Sequence, residues 1–185
     1  MQAGEGQAIA ARVPSLYCHP DAPPGAIQSI DAELERMDGG AVAIFRVRGD
    51  ISKLVIPPPA DGGRADNLWR TTCFELFVTG EGASYEEYNF SLSGQWAAYQ
   101  FDAYRSGMRS IDAQIETELY REKNELQFSV EIRTQFTNPV RIGLTAVIEE
   151  TDGVLRYWSS AFAPGKPDFH AAAVRSLLFD GVSAE

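Results

Sequence analysis

Apolar and polar residues alternate at period two in one segment after another of this 185-residue chain, and such patterning confines a chain to β-structure. In residues 73–78, Phe74, Leu76 and Val78 share one face while Cys73, Glu75 and Phe77 share the other. Residues 85–92 set Tyr88, Phe90 and Leu92 against Glu87, Asn89 and Ser91, and residues 95–101 set Trp96, Ala98 and Gln100 against Ala97, Tyr99 and Phe101. The same grammar returns at Leu126, Phe128, Val130 and Ile132, and again at Ile142, Leu144, Ala146 and Ile148. Residues 41–48 (AVAIFRVR) are β-branched and aromatic, whereas 30–36 (IDAELER) could open a helix but also alternate at period two and read as a strand. Turn signals fall between these runs at Asp38-Gly39-Gly40, Ser93-Gly94, Glu122-Lys123-Asn124 and Asp152-Gly153. Pro57-Pro58-Pro59 closes the short apolar run 54–56, and the following loop delivers Leu68-Trp69. Residues 171–176 could form a helical turn before Leu177 and Phe179. Nine or ten short strands without a convincing amphipathic helix predict an all-β, antiparallel β-sandwich, with Leu76, Phe90, Phe128, Val130, Leu144 and Ala146 in its core.

At 44% hydrophobic residues the chain can bury a full core, so one domain over residues 1–185 is expected, with 1–11 as a flexible lead-in. A net charge of −10, spread along the sequence, disfavours nucleic acid and anionic membrane as partners and suits neutral or cationic ligands. The first residues lack the basic and apolar regions of a signal peptide, so the chain reads as cytoplasmic. Cys18 and Cys73 are far apart in sequence, and Cys73 sits in a strand, which favours buried free thiols over a disulfide. No feature singles out a protein partner.

The stretch 66–108 holds two of the three tryptophans together with polar residues at strand positions. A sugar has apolar C–H faces and a rim of hydroxyls, so its receptor needs an aromatic plate edged by carboxylate, amide or guanidinium groups. Trp69, Trp96 and Trp158 are candidate plates, and Glu75, Glu87, Asn89 and Arg105 candidate rim groups. Each tryptophan could equally be core. Glu75 lies on an otherwise apolar face, which is costly unless the acid is paired, with Arg70 or Arg105 as possible structural partners, or the face is a wet pocket. Lys166, Asp168 and His170 occupy a Gly/Pro-rich loop suited to a site or to a solvated turn.

Templates for catalysis are missing. With only His19 and His170, and no Cys-x-x-Cys or His-x-Glu spacing, a zinc centre is not expected. The sequence has no Gly-x-Ser-x-Gly elbow, phosphate loop or dinucleotide fingerprint, and a glycosidase pair of Glu75 and Glu87 rests only on two acids sharing a sheet. Asp and Asn in the loops allow a structural calcium that no ligand spacing specifies. A non-catalytic ligand-binding domain is therefore expected, with a sugar as the ligand class.

The segments LWRTTCFELFV (68–78), YNFSLSGQWAAYQFDAYRSGM (88–108), LTAVIEE (144–150) and GKPDFH (165–170) resemble DOMON-like proteins related to family 9 carbohydrate-binding modules, over about residues 54–179. The resemblance implies a jelly-roll-like sandwich whose relatives bind sugars or, in other branches, haem. In the sugar-binding relatives two tryptophans clamp a ring and a glutamate shortly after the first accepts its hydroxyls. Trp69 and Glu75 match that pattern, with Trp158 as the second wall, so these three are expected to line one pocket. The alternatives are a haem-binding or redox domain and a scaffold or partner-binding domain. Haem is not expected, because Met108 should pack under Tyr104 and His170 should hydrogen-bond within its turn.

Overall fold

Hairpins build most of the molecule, because turn residues stand where the alternation breaks. The computed structural model describes residues 10–13, 15–137 and 139–180. Its strands are β1 (Ala10–Val13), β2 (Tyr17–Cys18), β3 (Ile27–Met37), β4 (Gly40–Gly49), β5 (Gly63–Arg64), β6 (Cys73–Thr79), β7 (Tyr85–Ser91), β8 (Gln95–Phe101), β9 (Arg109–Ser110), β10 (Gln114–Arg121), β11 (Glu125–Arg133), β12 (Val140–Glu149), β13 (Leu155–Ser159) and β14 (Leu177–Phe179). In the turn between β12 and β13, Gly153 takes φ of 80°, which a side chain would strain, and Asp152 Oδ1 accepts the Val154 N–H at 2.9 Å.

The strands form two sheets. The first runs β1-β3-β4-β11-β10 and the second β2-β13-β12-β6-β7-β8-β5, with β14 beside β12 and β9 beside β8. All these pairings are antiparallel except β5 with β8. The predicted antiparallel β-sandwich is thus the observed architecture, and the six residues assigned to its core are buried between the sheets. The strands that the sequence concealed are short. β2, β5 and β9 have two residues each, too few to alternate, and β1 takes residues 10 and 11 out of the expected lead-in. Residues 1–9 of that lead-in lie outside the described residues. Helical structure among the described residues is confined to 3-10 turns at Ile51–Lys53, Leu68–Arg70 and Ala172–Val174, the last within the stretch where a helical turn was one option.

The second sheet is covered on both faces, and this positions the site. Its inner face carries Phe74, Leu76, Phe90, Leu144 and Ala146 into the main core. Its outer face carries a second apolar cluster, in which Cys73, Phe77, Tyr85, Tyr99, Phe101 and Val147 meet Leu68 from one loop and Phe169 and Val174 from another. The second of these loops can lie flat on the sheet because β12 has a glycine beneath it. A Cβ on Gly143 would come within 2.6 Å of the Val174 carbonyl oxygen.

Candidate ligand-binding face

Strand register places the polar residues of the outer face side by side. Glu75 on β6 stands opposite Thr145 on β12 and Asn89 on β7, Thr145 stands opposite Ser159 on β13, and Asn89 stands opposite Ala97 on β8. Period-two geometry puts all of them on the side facing away from the main core. Glu75 is 2% exposed, and Glu87, Asn89, Thr145 and Ser159 are also buried. Thr145 Oγ1 donates to Glu75 Oε2 at 3.0 Å, and Asn89 Nδ2 donates to Glu87 Oε1 at 2.8 Å. Asn89 Oδ1 is buried and meets no donor, which leaves its desolvation uncompensated. Burial, and after it the charge of Glu87, pushes the Glu75 carboxyl well above the usual carboxylate range, against the Thr145 hydrogen bond. Burial also raises Glu87, against the Asn89 hydrogen bond and the charge of Arg105.

His170 closes one end of this row. Its ring packs edge-on against Phe77, Phe101 and Tyr85 at centroid distances of 5.7, 5.1 and 5.9 Å. The Tyr85 hydroxyl accepts the Arg105 backbone N–H at 3.2 Å, so its own proton is free to go to His170 Nδ1, 2.8 Å away. That assignment leaves the imidazole proton on Nε2, 3.7 Å from Glu87 Oε2. Burial, helped by the positive charge of Arg105, lowers the His170 pKa to about 4. The Arg175 guanidinium lies over the Tyr85 ring at 4.5 Å, and Phe101 stacks on that ring at 4.8 Å.

Two loops flank the row. At the β6 N-terminal end the 3-10 turn Leu68–Arg70 packs on β6, β7 and β8, burying Leu68 and leaving Trp69 51% exposed. At the other end, residues 161–176 cross the sheet under several ties. His19 accepts the Asp21 N–H at Nδ1 (3.2 Å), so Nε2 carries the proton that reaches the Gly165 carbonyl oxygen at 3.0 Å. Asp168 accepts from the Tyr104 hydroxyl at 2.6 Å, from Arg105 Nη2 at 2.8 Å and from the His170 N–H at 3.1 Å. Although burial works against it, these bonds hold the Asp168 carboxyl below its ordinary value. Arg105 reaches its partners from a left-handed conformation with φ of 51°, a strain that its bonds to Tyr85 and Asp168 offset. Because Cys73 packs with Leu68 and Phe77 meets His170, Glu75 sits midway between the two loops.

The structure brings some of the expected residues together and separates others. Glu75, Glu87 and Asn89 share one face, Arg105, Asp168 and His170 adjoin it, Trp69 stands at its edge, and Lys166 is exposed on the crossing loop. Trp158 does not share a pocket with Trp69 and Glu75. It pairs with Ala146, opposite Phe74, so it belongs to the inner face and is 2% exposed in the main core. Trp96 pairs with Phe90 and likewise points inward, away from Glu75. Neither suggested arginine pairs with Glu75: Arg105 binds Asp168, and Arg70 lies over the Trp69 ring at 5.5 Å. Met108 is 62% exposed, so Tyr104 does not bury it, while the His170 backbone N–H bonds to Asp168 within its turn and the ring bonds to Tyr85. Among the described residues no three His, Cys, Asp or Glu side chains gather as a metal site would require.

Sequence reasoning missed Tyr85, Thr145, Ser159, Tyr104 and His19. Tyr85 had a visible signal, since it shares strand parity with Glu87 and Asn89, and Thr145 breaks an apolar run. Nothing local marks His19, whose partner lies 146 residues away.

No family model matches this sequence, and no curated protein does. By structure the chain is similar to a protein from Bacteroides uniformis ATCC 8492 described as a candidate carbohydrate-binding protein. The TM-score is 0.59 at 12% identity, over 90% of this chain and 84% of the other. It is also similar to a family 9 carbohydrate-binding module from Caldicellulosiruptor kristjanssonii in complex with cellotriose, with a TM-score of 0.45 at 7% identity over 85% and 75% of the two chains. The first likeness establishes a β-sandwich of the kind found in that protein.

Proposed function

We propose that the outer face of the second sheet binds a carbohydrate without catalysing its conversion. The observation that carries this reading is the buried row of Glu75, Asn89 and Glu87, in which Asn89 Oδ1 has no donor, lying between the exposed Trp69 and the stapled loop 161–176. A sugar brings hydroxyl donors for such oxygens and an apolar ring face for an indole, which is why the two features belong together. Similarity of fold to a protein described as carbohydrate-binding supports the choice of ligand class. Contacts of Asp168 with Tyr104 and Arg105 tie the crossing loop down at one end of the row.

Titration calorimetry with glucose, galactose, xylose, N-acetylglucosamine and their β-1,4-linked tetramers tests the proposal. Binding by the wild type should weaken at least tenfold in Trp69→Ala and in Glu75→Gln, with folding retained in both. Binding that both variants leave unchanged, or no binding of any sugar by the wild type, would overturn it.

A further inference from the structure

We propose a second carbohydrate site, separate from the outer face, in the cleft where the two sheets part beside β10. A cavity of about 390 Å³ opens there, walled by Trp96, Gln114, Ile115, Glu116, Glu131 and Arg133. A second cavity of about 570 Å³ shares Gln114 and Arg133 with it and continues past Asp112 and Gln135. Volumes in this range suit saccharide units, and their continuity suits a chain of rings better than one enclosed molecule.

The fold explains the opening. Residues 111–113 carry the chain from β9 in the second sheet to β10 in the first, and Ile111, Ala113 and Ile115 pack against the main core along this crossing. The sheets meet again at Gly94, where an added Cβ would come within 3.9 Å of Thr117 Oγ1. Trp96 points into the sandwich but stands near its edge, with only the two-residue strands β5 and β9 beyond its strand. It is therefore half-buried, set against the core while lining the cleft.

The lining has the chemistry of a sugar receptor. Trp96 and Ile115 give its apolar, core-facing side, and Gln114, Glu116 and Arg133, of the opposite strand parity to Ile115, alternate acceptors with donors along the outer side of β10 and β11. Glu116 stands directly across from Glu131, an unfavourable like-charge pairing. Arg133 pairs with Glu131, whereas Glu116 has no ion-pair or hydrogen-bond partner among the described residues. It is an acceptor that a ligand hydroxyl can use. Two carboxylates against one guanidinium also oppose phosphate and other anions.

The experiment starts from Trp69→Ala, which disables the outer face, and titrates cellotetraose, xylotetraose and chitotetraose. Gln114 and Glu116 are exposed, so Gln114→Ala with Glu116→Ala leaves packing intact. The proposal expects saturable binding of at least one tetraose by Trp69→Ala, weakened tenfold or more when the cleft pair is added, with an unchanged urea midpoint. It is overturned if Trp69→Ala binds no tetraose, or if the remaining binding ignores the cleft substitutions. Spermidine binding in the cleft with no tetraose bound would overturn the sugar assignment. If the cleft substitutions abolish wild-type binding while Trp69→Ala changes nothing, the cleft stands and the outer-face reading fails. No binding by the wild type overturns both.

Discussion

His170 Nε2 stands 3.7 Å from Glu87 Oε2 in surroundings that drive both groups toward their uncharged forms. Stability should therefore pass through a maximum with pH. His170 binds its proton less tightly folded than unfolded, so its contribution rises as pH climbs from about 4 to 6.5. Glu75 and Glu87 bind theirs more tightly folded, so each loses stability as pH rises from 4.5 toward its folded value. In urea unfolding across pH 4–9, Glu75→Gln should flatten the decline on the alkaline side. An undiminished decline would show that Glu75 does not titrate there.

The tryptophans should separate by role. Trp158→Ala empties part of the main core and should cost about 3–5 kcal/mol of folding free energy. Trp69→Ala, at an exposed edge, should change stability by about 0.5 kcal/mol or less while removing about 1.4–3 kcal/mol of sugar binding. Chemical denaturation and calorimetry on the pair check both.

Gly143→Ala should cost about 1–3 kcal/mol, as overpacking does, since the new methyl group would press on the Val174 backbone. Hydrogen exchange should quicken at residues 170–176 with little change at β4 and β11.

Asp168→Asn weakens the latch that holds Tyr104, Arg105 and the His170 amide. The ion pair is partly exposed, so the global cost should be about 1 kcal/mol or less. Limited proteolysis between residues 161 and 176 should nevertheless accelerate several-fold, and an unchanged cleavage rate would show that the loop is held elsewhere.

Much of the fold was legible because alternation assigns faces without knowledge of neighbours. It separated Phe74 from Glu75 and Tyr88 from Glu87, and both separations match the register. What alternation cannot say is which face turns inward when both are covered. The loops over the second sheet bury Phe77, Tyr85 and Val147 almost as deeply as the core buries Phe74, so the contrast that would have marked Trp158 and Trp96 as inward was absent. The row of Glu75, Asn89 and Thr145 needs strands 70 residues apart brought into register, and the short strands Tyr17–Cys18 and Gly63–Arg64 are set by their partners.

The ties on residues 161–176 also fix an order of assembly. Gly165 waits on His19, His170 on Tyr85 and Asp168 on Tyr104, across separations of 146, 85 and 64 residues. Contacts so distant in sequence carry a loop-closure cost and form late. During synthesis the second sheet must wait with Phe77, Tyr85 and Phe101 uncovered until residues 161–176 emerge. The outer face is thus covered only after residues 161–176 have been made, and a chain interrupted before them would carry a sticky patch in its place.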